Sequence, residues 1–72
     1  MTTIYHIYYW FKNDVEAGDY MPTAKIFANK EQALANIEAC RAKQGDNFQL
    51  AIMTEKRAVN GEFCTISEWR FS

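Results

Sequence analysis

The single histidine, His6, is the residue around which any acid–base or nucleophilic chemistry in this chain would have to be built. Such a site needs an imidazole within hydrogen-bond reach of a nucleophile, and a third group that orients the imidazole. Cys64 and Glu68, on one later strand, are the partners that the strand pattern offers. Because the sequence shows no oxyanion-binding device and a chain this short has little volume for a cleft, we predict that the protein is not an enzyme.

Metal and phosphate sites have equally little support in the sequence. Two cysteines and one histidine, with no Cys-x-x-Cys pair, do not supply the four ligands of a structural zinc site. Asp14, Glu16 and Asp19 lie in one stretch but lack the spacing of an EF-hand loop. The glycines are isolated at positions 18, 45 and 61, so there is no glycine-rich phosphate loop. We therefore predict neither a metal nor a cofactor.

Length and composition favour one small domain over residues 1–72. Aromatic residues make up 15% of the chain, and their large buried areas allow a short chain to form a core without disulfides or metals. The net charge of -1 argues against a bulk electrostatic grip on nucleic acid or an anionic membrane. No secretory signal or membrane-spanning segment is visible, and two cysteines suit free thiols, so we expect a cytoplasmic protein.

The elements that position these residues follow from local patterns. Residues 2–12 are rich in Ile, Tyr, Trp and Phe and predict a strand, and the polar residues 13–19 predict a loop. Residues 20–28 predict a second strand, which Pro22 places at an edge or after the proline. Asn29 is a good N-cap for a helix over Lys30–Gln44, with Gly45 beyond its end. Two further strands, 47–59 and 62–71, flank a hairpin turn at Asn60-Gly61.

The two-residue turn predicts the register of the second hairpin. It places Val59 opposite Glu62 and Leu50 opposite Phe71. The expected core face is apolar and consists of Phe48, Leu50, Ile52, Phe63, Trp69 and Phe71. The other face is expected to carry Ala51, Met53, Glu55, Arg57, Cys64, Ile66, Glu68 and Arg70.

The predicted fold class is α+β, with the order ββαββ and a four-stranded, mostly antiparallel sheet covered by one helix on one face. A right-handed crossover from the first hairpin to the second would place strands one and four side by side in the centre. That arrangement resembles the β-grasp plan of ubiquitin and the immunoglobulin-binding domains, a resemblance of element order that implies no function. We assign Tyr5, Ile7, Tyr9 and Phe11 of the first strand to the core, because that set lacks an ionisable imidazole.

The uncovered face is then the predicted functional surface. Tyr, Trp, Met and Arg are enriched in protein interfaces, and an exposed apolar patch usually marks an interaction site. The predicted partner-binding residues are His6, Tyr8, Trp10, Met53, Arg57, Ile66 and Arg70. The alternative stays open that the long first loop folds under the sheet, or that these side chains are simply half-exposed and bind no partner.

The sequence predicts a protein partner. In size and composition the chain is similar to small phage and mobile-element inhibitors such as anti-CRISPR proteins, which implies a stoichiometric inhibitor. The alternative functions are single-stranded nucleic-acid binding by base stacking on the same face, which the acidic balance disfavours, and a homodimer that packs its open faces together. No membrane partner is expected.

Overall fold

The computed structural model describes residues 2–72, which form a four-stranded antiparallel sheet with one long helix on one face. Strand β1 is Thr3–Phe11, helix α1 is Lys12–Glu16, strand β2 is Thr23–Phe27 and helix α2 is Lys30–Gln44. A 3₁₀ turn, Gly45–Asn47, leads into strand β3, Phe48–Val59, and strand β4 is Glu62–Phe71. The predicted α+β class and the order ββαββ are confirmed, with the short α1 added.

Both ends of α2 follow the sequence signals. The Asn29 side chain accepts hydrogen bonds from the backbone N–H groups of Glu31 at 2.8 Å and Gln32 at 3.3 Å. These are two of the N–H groups that a helix start leaves without an intrahelical partner. Gly45 follows the last helical residue with a φ of 55°, which glycine adopts without a steric penalty.

Helix α1 occupies part of the stretch that the sequence predicts as a loop. It begins directly after β1, and its Asn13 N–H donates to the side-chain oxygen of Asn47 at 2.8 Å. This contact joins the start of α1 to the turn that follows α2, a tertiary interaction that local composition does not encode. Strand β2 begins at Thr23, directly after Pro22, and forms an edge of the sheet, as the proline predicts.

The core lies between α2 and one face of the sheet. Its buried members are Ile7, Tyr9, Ala33, Ile37, Phe48, Ala51 and Met53. Tyr5 and Phe11 pack against this cluster, so the predicted core side of β1 is confirmed. The Tyr9 hydroxyl, on a side chain that is 2% exposed, donates to Asn36 Oδ1 of α2 at 2.6 Å. This bond satisfies a polar group that burial would otherwise leave costly.

The strand order is β2-β1-β3-β4, so the predicted adjacency of strands one and four is wrong. Strand β3 lies between them and pairs antiparallel with both neighbours. Its apolar residues point to both faces, with Ala51 and Met53 on one and Leu50 and Ile52 on the other, which suits a central strand. Strand β4 mixes apolar residues with polar ones, including Ser67, Glu68 and Arg70, which suits an edge strand.

The register of the second hairpin changes at a β-bulge in β4. Close to the turn, Val59 lies opposite Glu62 and Ala58 opposite Phe63, as predicted. Glu55 then pairs with Ser67 while Lys56 pairs with Thr65, so Ile66 is the extra residue. Beyond the bulge the partners are shifted, and the predicted pairing of Leu50 with Phe71 is wrong.

Because of this shift, only part of the predicted core face lies on the α2 side of the sheet. Trp69 lies opposite Met53 and Phe71 opposite Ala51, on the α2 side. A second bulge at Gln49, between the pairs formed by Trp10 and Phe11, returns Phe48 to the same side. Leu50 and Ile52 therefore lie on the open side, contrary to the sequence prediction, and so does Phe63, which is 49% exposed.

Both cysteines are free thiols. Cys40 of α2 packs against the core, as predicted. Cys64 lies opposite Arg57, and Arg57 alternates with Met53 along β3, so both residues lie on the α2 side of the sheet. The prediction that Cys64 and Arg57 lie on the open face is therefore wrong. It assumed one unbroken register from the turn to Trp69 and Phe71, and the bulge at Ile66 interrupts that register.

Candidate binding surface

The side of the sheet opposite α2 is called the open face here, because no helix among residues 2–72 packs on it. Strand pairing defines its members. From β2 to β4 they are Ala24 and Ile26; Ile4, His6, Tyr8 and Trp10; Leu50, Ile52, Thr54 and Lys56; and Phe63, Thr65, Glu68 and Arg70. Most of the apolar members are half-buried or exposed, so the face presents apolar area to solvent.

An aromatic row on β1 forms the centre of the open face. His6, Tyr8 and Trp10 alternate along the strand and therefore point the same way. The rings of His6 and Tyr8 stack with centroids 4.3 Å apart, and those of Tyr8 and Trp10 are tilted at 6.4 Å. The structure thus brings together these three residues of the predicted set.

The loop before β2 meets the end of this row. The Trp10 indole Nε1–H donates to the backbone carbonyl of Tyr20 at 3.1 Å. The side chains of Tyr20 and Met21 nevertheless remain 68% and 80% exposed. The loop therefore holds the Trp10 ring at this end of the row, while its Tyr20 and Met21 side chains stay exposed to solvent.

The polar contacts of His6 indicate a neutral imidazole. Its Nδ1 lies 3.2 Å from the Tyr8 hydroxyl and 3.4 Å from Lys56 Nζ. Since an ammonium can only donate, Nδ1 acts as the acceptor and the ring proton lies on Nε2. Desolvation by burial, and then the positive charge of Lys56, lower the pKa of His6. The aromatic row is therefore uncharged near neutral pH.

The Cys-His-Glu constellation that the sequence suggested is not assembled. Cys64 lies on the α2 side of the sheet, whereas His6 points to the open face. Glu68 does lie on the open face, opposite Thr54, but its carboxylate pairs with Arg70 at 3.2 Å. His6 consequently has tyrosine and lysine neighbours rather than a thiol nucleophile.

Three predicted site residues occupy other positions. Met53 is fully buried against α2 and cannot contact a partner. Arg57 lies on the α2 side of the sheet, because it shares the alternation of Met53. Ile66 is the bulge residue and is 44% exposed. Of the β4 residues predicted for the site, Arg70 is the one that lies on the open face, opposite Ile52.

Sequence reasoning missed four apolar members of the face. Ile26 of β2 is 60% exposed opposite His6, and Phe63 of β4 is 49% exposed near the turn. Leu50 and Ile52 lie next to Trp10 and Tyr8 on the neighbouring strand. Strict alternation through β2 could have identified Ile26, whereas the other three depend on strand order and bulges.

The part of the chain that the structure describes contains neither a metal-binding cluster nor a membrane-spanning helix. Residues 2–72 hold no cluster of three or more His, Cys, Asp or Glu side chains that could bind a metal ion. Over the same residues, neither helix combines the length and the apolar character needed to cross a bilayer. Comparisons of the chain with protein-family models, curated proteins and solved structures found no match.

Proposed function

We propose that this chain is a non-catalytic protein-binding module whose contact surface is the open face. The observation that carries the proposal is the aromatic row of His6, Tyr8 and Trp10 on a central strand, flanked by the exposed Ile26 on β2 and by Leu50 and Ile52 on β3. A contiguous apolar surface of this kind usually marks an interaction site in a small protein.

The row has the properties of an interface anchor. Tyr and Trp bury large areas with few rotatable bonds, so they lose little conformational entropy when a partner covers them. The Trp10 ring is already held by its hydrogen bond to the Tyr20 carbonyl, and the Tyr8 ring is stacked on His6. This order in the free chain lowers the entropic cost of binding.

The charges of the open face favour a protein over a nucleic acid. Its cations are Lys56, which contacts His6, and Arg70, which is paired with Glu68. A net charge of -1 for the whole chain adds no general attraction for phosphates. Single-stranded nucleic acid is the second candidate, because Tyr8 and Trp10 point the same way and could stack neighbouring bases.

The proposal extends to a narrower role. A face without a nucleophile acts by occupying its partner, which is how a stoichiometric inhibitor of the anti-defence type works. The setting proposed is the cytoplasm, where the free thiols of Cys40 and Cys64 are maintained. The partner could also be a second copy of this chain, in which case the open faces of two copies would pack together as a homodimer.

Affinity capture from the native host's lysate tests the proposal with matched lysine substitutions. Tyr8→Lys and Ile26→Lys place a charge on the open face, while Ala35→Lys places it on the exposed side of α2. A specific protein retained by wild type and by Ala35→Lys, and bound about tenfold or more weakly by both open-face variants, supports the proposal. Equal retention by all four proteins would place the contact elsewhere.

Two further measurements separate the alternatives. Binding of an oligonucleotide that weakens steeply with added salt and is lost in Tyr8→Lys supports the nucleic-acid candidate instead. Light scattering detects the homodimer, which Tyr8→Lys and Ile26→Lys should dissociate while Ala35→Lys leaves it intact. Circular dichroism of each variant first establishes that the fold is retained.

A further inference from the structure

A cleft of about 320 Å³ lies on the other side of the molecule, between α2 and the half of the sheet formed by β1 and β2. It exists because α2 buries Ala33 and Ile37 against the core, while β2 offers little to fill the space beside the helix. Of the three β2 residues on this side, Phe27 packs against the core, and the cleft is lined by Thr23 and Lys25, which lie opposite Tyr9 and Ile7. A short hydroxyl side chain and a flexible lysine leave a gap where a bulkier apolar residue would have packed.

The walls of the cleft are apolar in its depth. The rings of Tyr9 and Phe11 line it from β1, stacked with an interplanar angle of 8° and centroids 6.0 Å apart. Ala39 and Cys40 line it from α2. Burial raises the pKa of the Cys40 thiol, which accordingly lines the cleft in its neutral form near pH 7. Such a surface accepts an aromatic ring or a short alkyl chain.

The polar groups around the cleft are hydrogen-bond donors. Lys25 and Lys43 contribute ammonium groups. Asn36 Oδ1 already accepts from Tyr9, and Gln44 Oε1 already accepts from Asn47, so their NH₂ groups are the donors left for a ligand. No Asp or Glu lines the cleft within the described residues. The two ammonium groups and the absence of a carboxylate favour a ligand that supplies acceptors and negative charge.

The two lysines are not neutralised by carboxylates. Among residues 2–72 the ion pair present joins Arg70 to Glu68, on the open face. Lys25 and Lys43 both lie close enough to Cys40 that their charges lower the pKa of its thiol, against the larger effect of burial. Two unpaired ammonium groups on opposite walls, one from β2 and one from α2, therefore act on the same small volume.

We propose that this cleft binds a small organic anion, an aryl or alkyl carboxylate, with its carboxylate between Lys25 and Lys43 and its apolar body against Tyr9 and Phe11. The volume lies at the lower end of the range for small-molecule sites, about 300–1,000 Å³, which limits the ligand to one or two fused rings or a short chain. The site lies opposite the open face and does not depend on the proposed protein-binding function.

Indole-3-acetate and its neutral counterpart indole-3-acetamide test the proposal, because they share a ring system and differ in charge. Each is titrated into ¹⁵N-labelled protein, and the amide resonances are followed by NMR. The acid should give saturable shifts at Lys25, Ala39, Cys40 and Lys43, and the amide should bind roughly fivefold or more weakly. Lys25→Gln and Lys43→Gln should each weaken the acid by a few-fold, whereas Lys56→Gln, on the open face, should leave it unchanged.

Thiol alkylation gives a second readout within one molecule. Saturating acid should slow the reaction of Cys40 with iodoacetamide and leave the exposed Cys64 unaffected. Ala39→Met fills the cleft while keeping both lysines, and it should abolish the shifts caused by the acid. The proposal is overturned by any of three results: no saturable binding of the acid, equal binding of acid and amide, or shifts confined to the open face.

Discussion

The hydroxyl of Tyr9 should make the stability of this domain fall at alkaline pH in a way that one substitution removes. Burial, and then the nearby Cys40, raise the pKa of Tyr9 from 10.0 to about 12. Because the folded pKa lies above the unfolded value, folding favours the neutral phenol. The corresponding stability is fully present below pH 10 and is lost as the pH rises towards 12.

The size of the effect follows from the separation of the two pKa values. At pH 11 the unfolded phenol is mostly ionised and the folded one mostly neutral, so the titration of Tyr9 alone costs the wild type about 1.4 kcal/mol relative to pH 8. Tyr9→Phe lacks this loss and keeps only the one that the raised pKa of the Cys40 thiol causes in both proteins. It also lacks the 2.6 Å hydrogen bond to Asn36 and should be about 1 kcal/mol less stable at pH 8. The order of stability of the two proteins should therefore invert between about pH 10.5 and 11.

Urea unfolding followed by circular dichroism, at intervals from about pH 8 to 11, measures both curves. Tyr8→Phe is the matched control, because it removes a hydroxyl on the open face and leaves Tyr9 in place. It should lose stability with pH as the wild type does. If Tyr9→Phe falls in parallel with the wild type over this range, Tyr9 is not the origin of the alkaline loss and the reasoning is refuted.

Three further predictions follow from burial, capping and charge. Met53→Ala removes a fully buried side chain and should cost about 2–5 kcal/mol in urea unfolding, whereas Ile66→Ala, at a position that is 44% exposed, should cost less than about 1 kcal/mol. Asn29→Ala removes the acceptor for two backbone N–H groups and should cost about 1 kcal/mol in the same assay; a variant as stable as the wild type would contradict the cap. His6 should titrate below its ordinary pKa of 6.5 by NMR, and Lys56→Gln should raise that pKa; an unchanged value would exclude Lys56 as a contributor.

Local features of the fold could be predicted because they depend on residues close in sequence. The Asn29 cap, the end of α2 at Gly45 and the Asn60-Gly61 turn each rest on backbone geometry that a few residues determine. The strand order could not be predicted in the same way. Both possible neighbours of β1 in the second hairpin contain apolar residues, and the choice of β3 depends on packing over both of its faces.

The candidate site was predictable in part for the same reason. The alternation along β1 places His6, Tyr8 and Trp10 on one side, and the choice of the buried side followed from the imidazole. The faces predicted for several β3 and β4 residues were wrong because the prediction assumed a regular ladder. One unpaired residue reverses the face of every residue beyond it. The cleft beside α2 had no sequence signal, since it arises from side chains that are too small or too flexible to fill a tertiary gap.

The bulge at Ile66 also accommodates the one residue by which β4 exceeds a regular ladder with β3, independently of which amino acid occupies the position. If Ile66 instead paired regularly with Glu55, the pairing set at the turn would continue unchanged, and Trp69 would lie opposite Ile52 rather than Met53. Trp69 and Phe71 would then point away from α2, and Glu68 and Arg70 would point towards it. Deletion of Ile66 would remove the extra residue and keep Trp69 opposite Met53, so the domain should tolerate that deletion as well as many substitutions at position 66. The turn at Asn60-Gly61 fixes the register only of the pairs that precede the bulge.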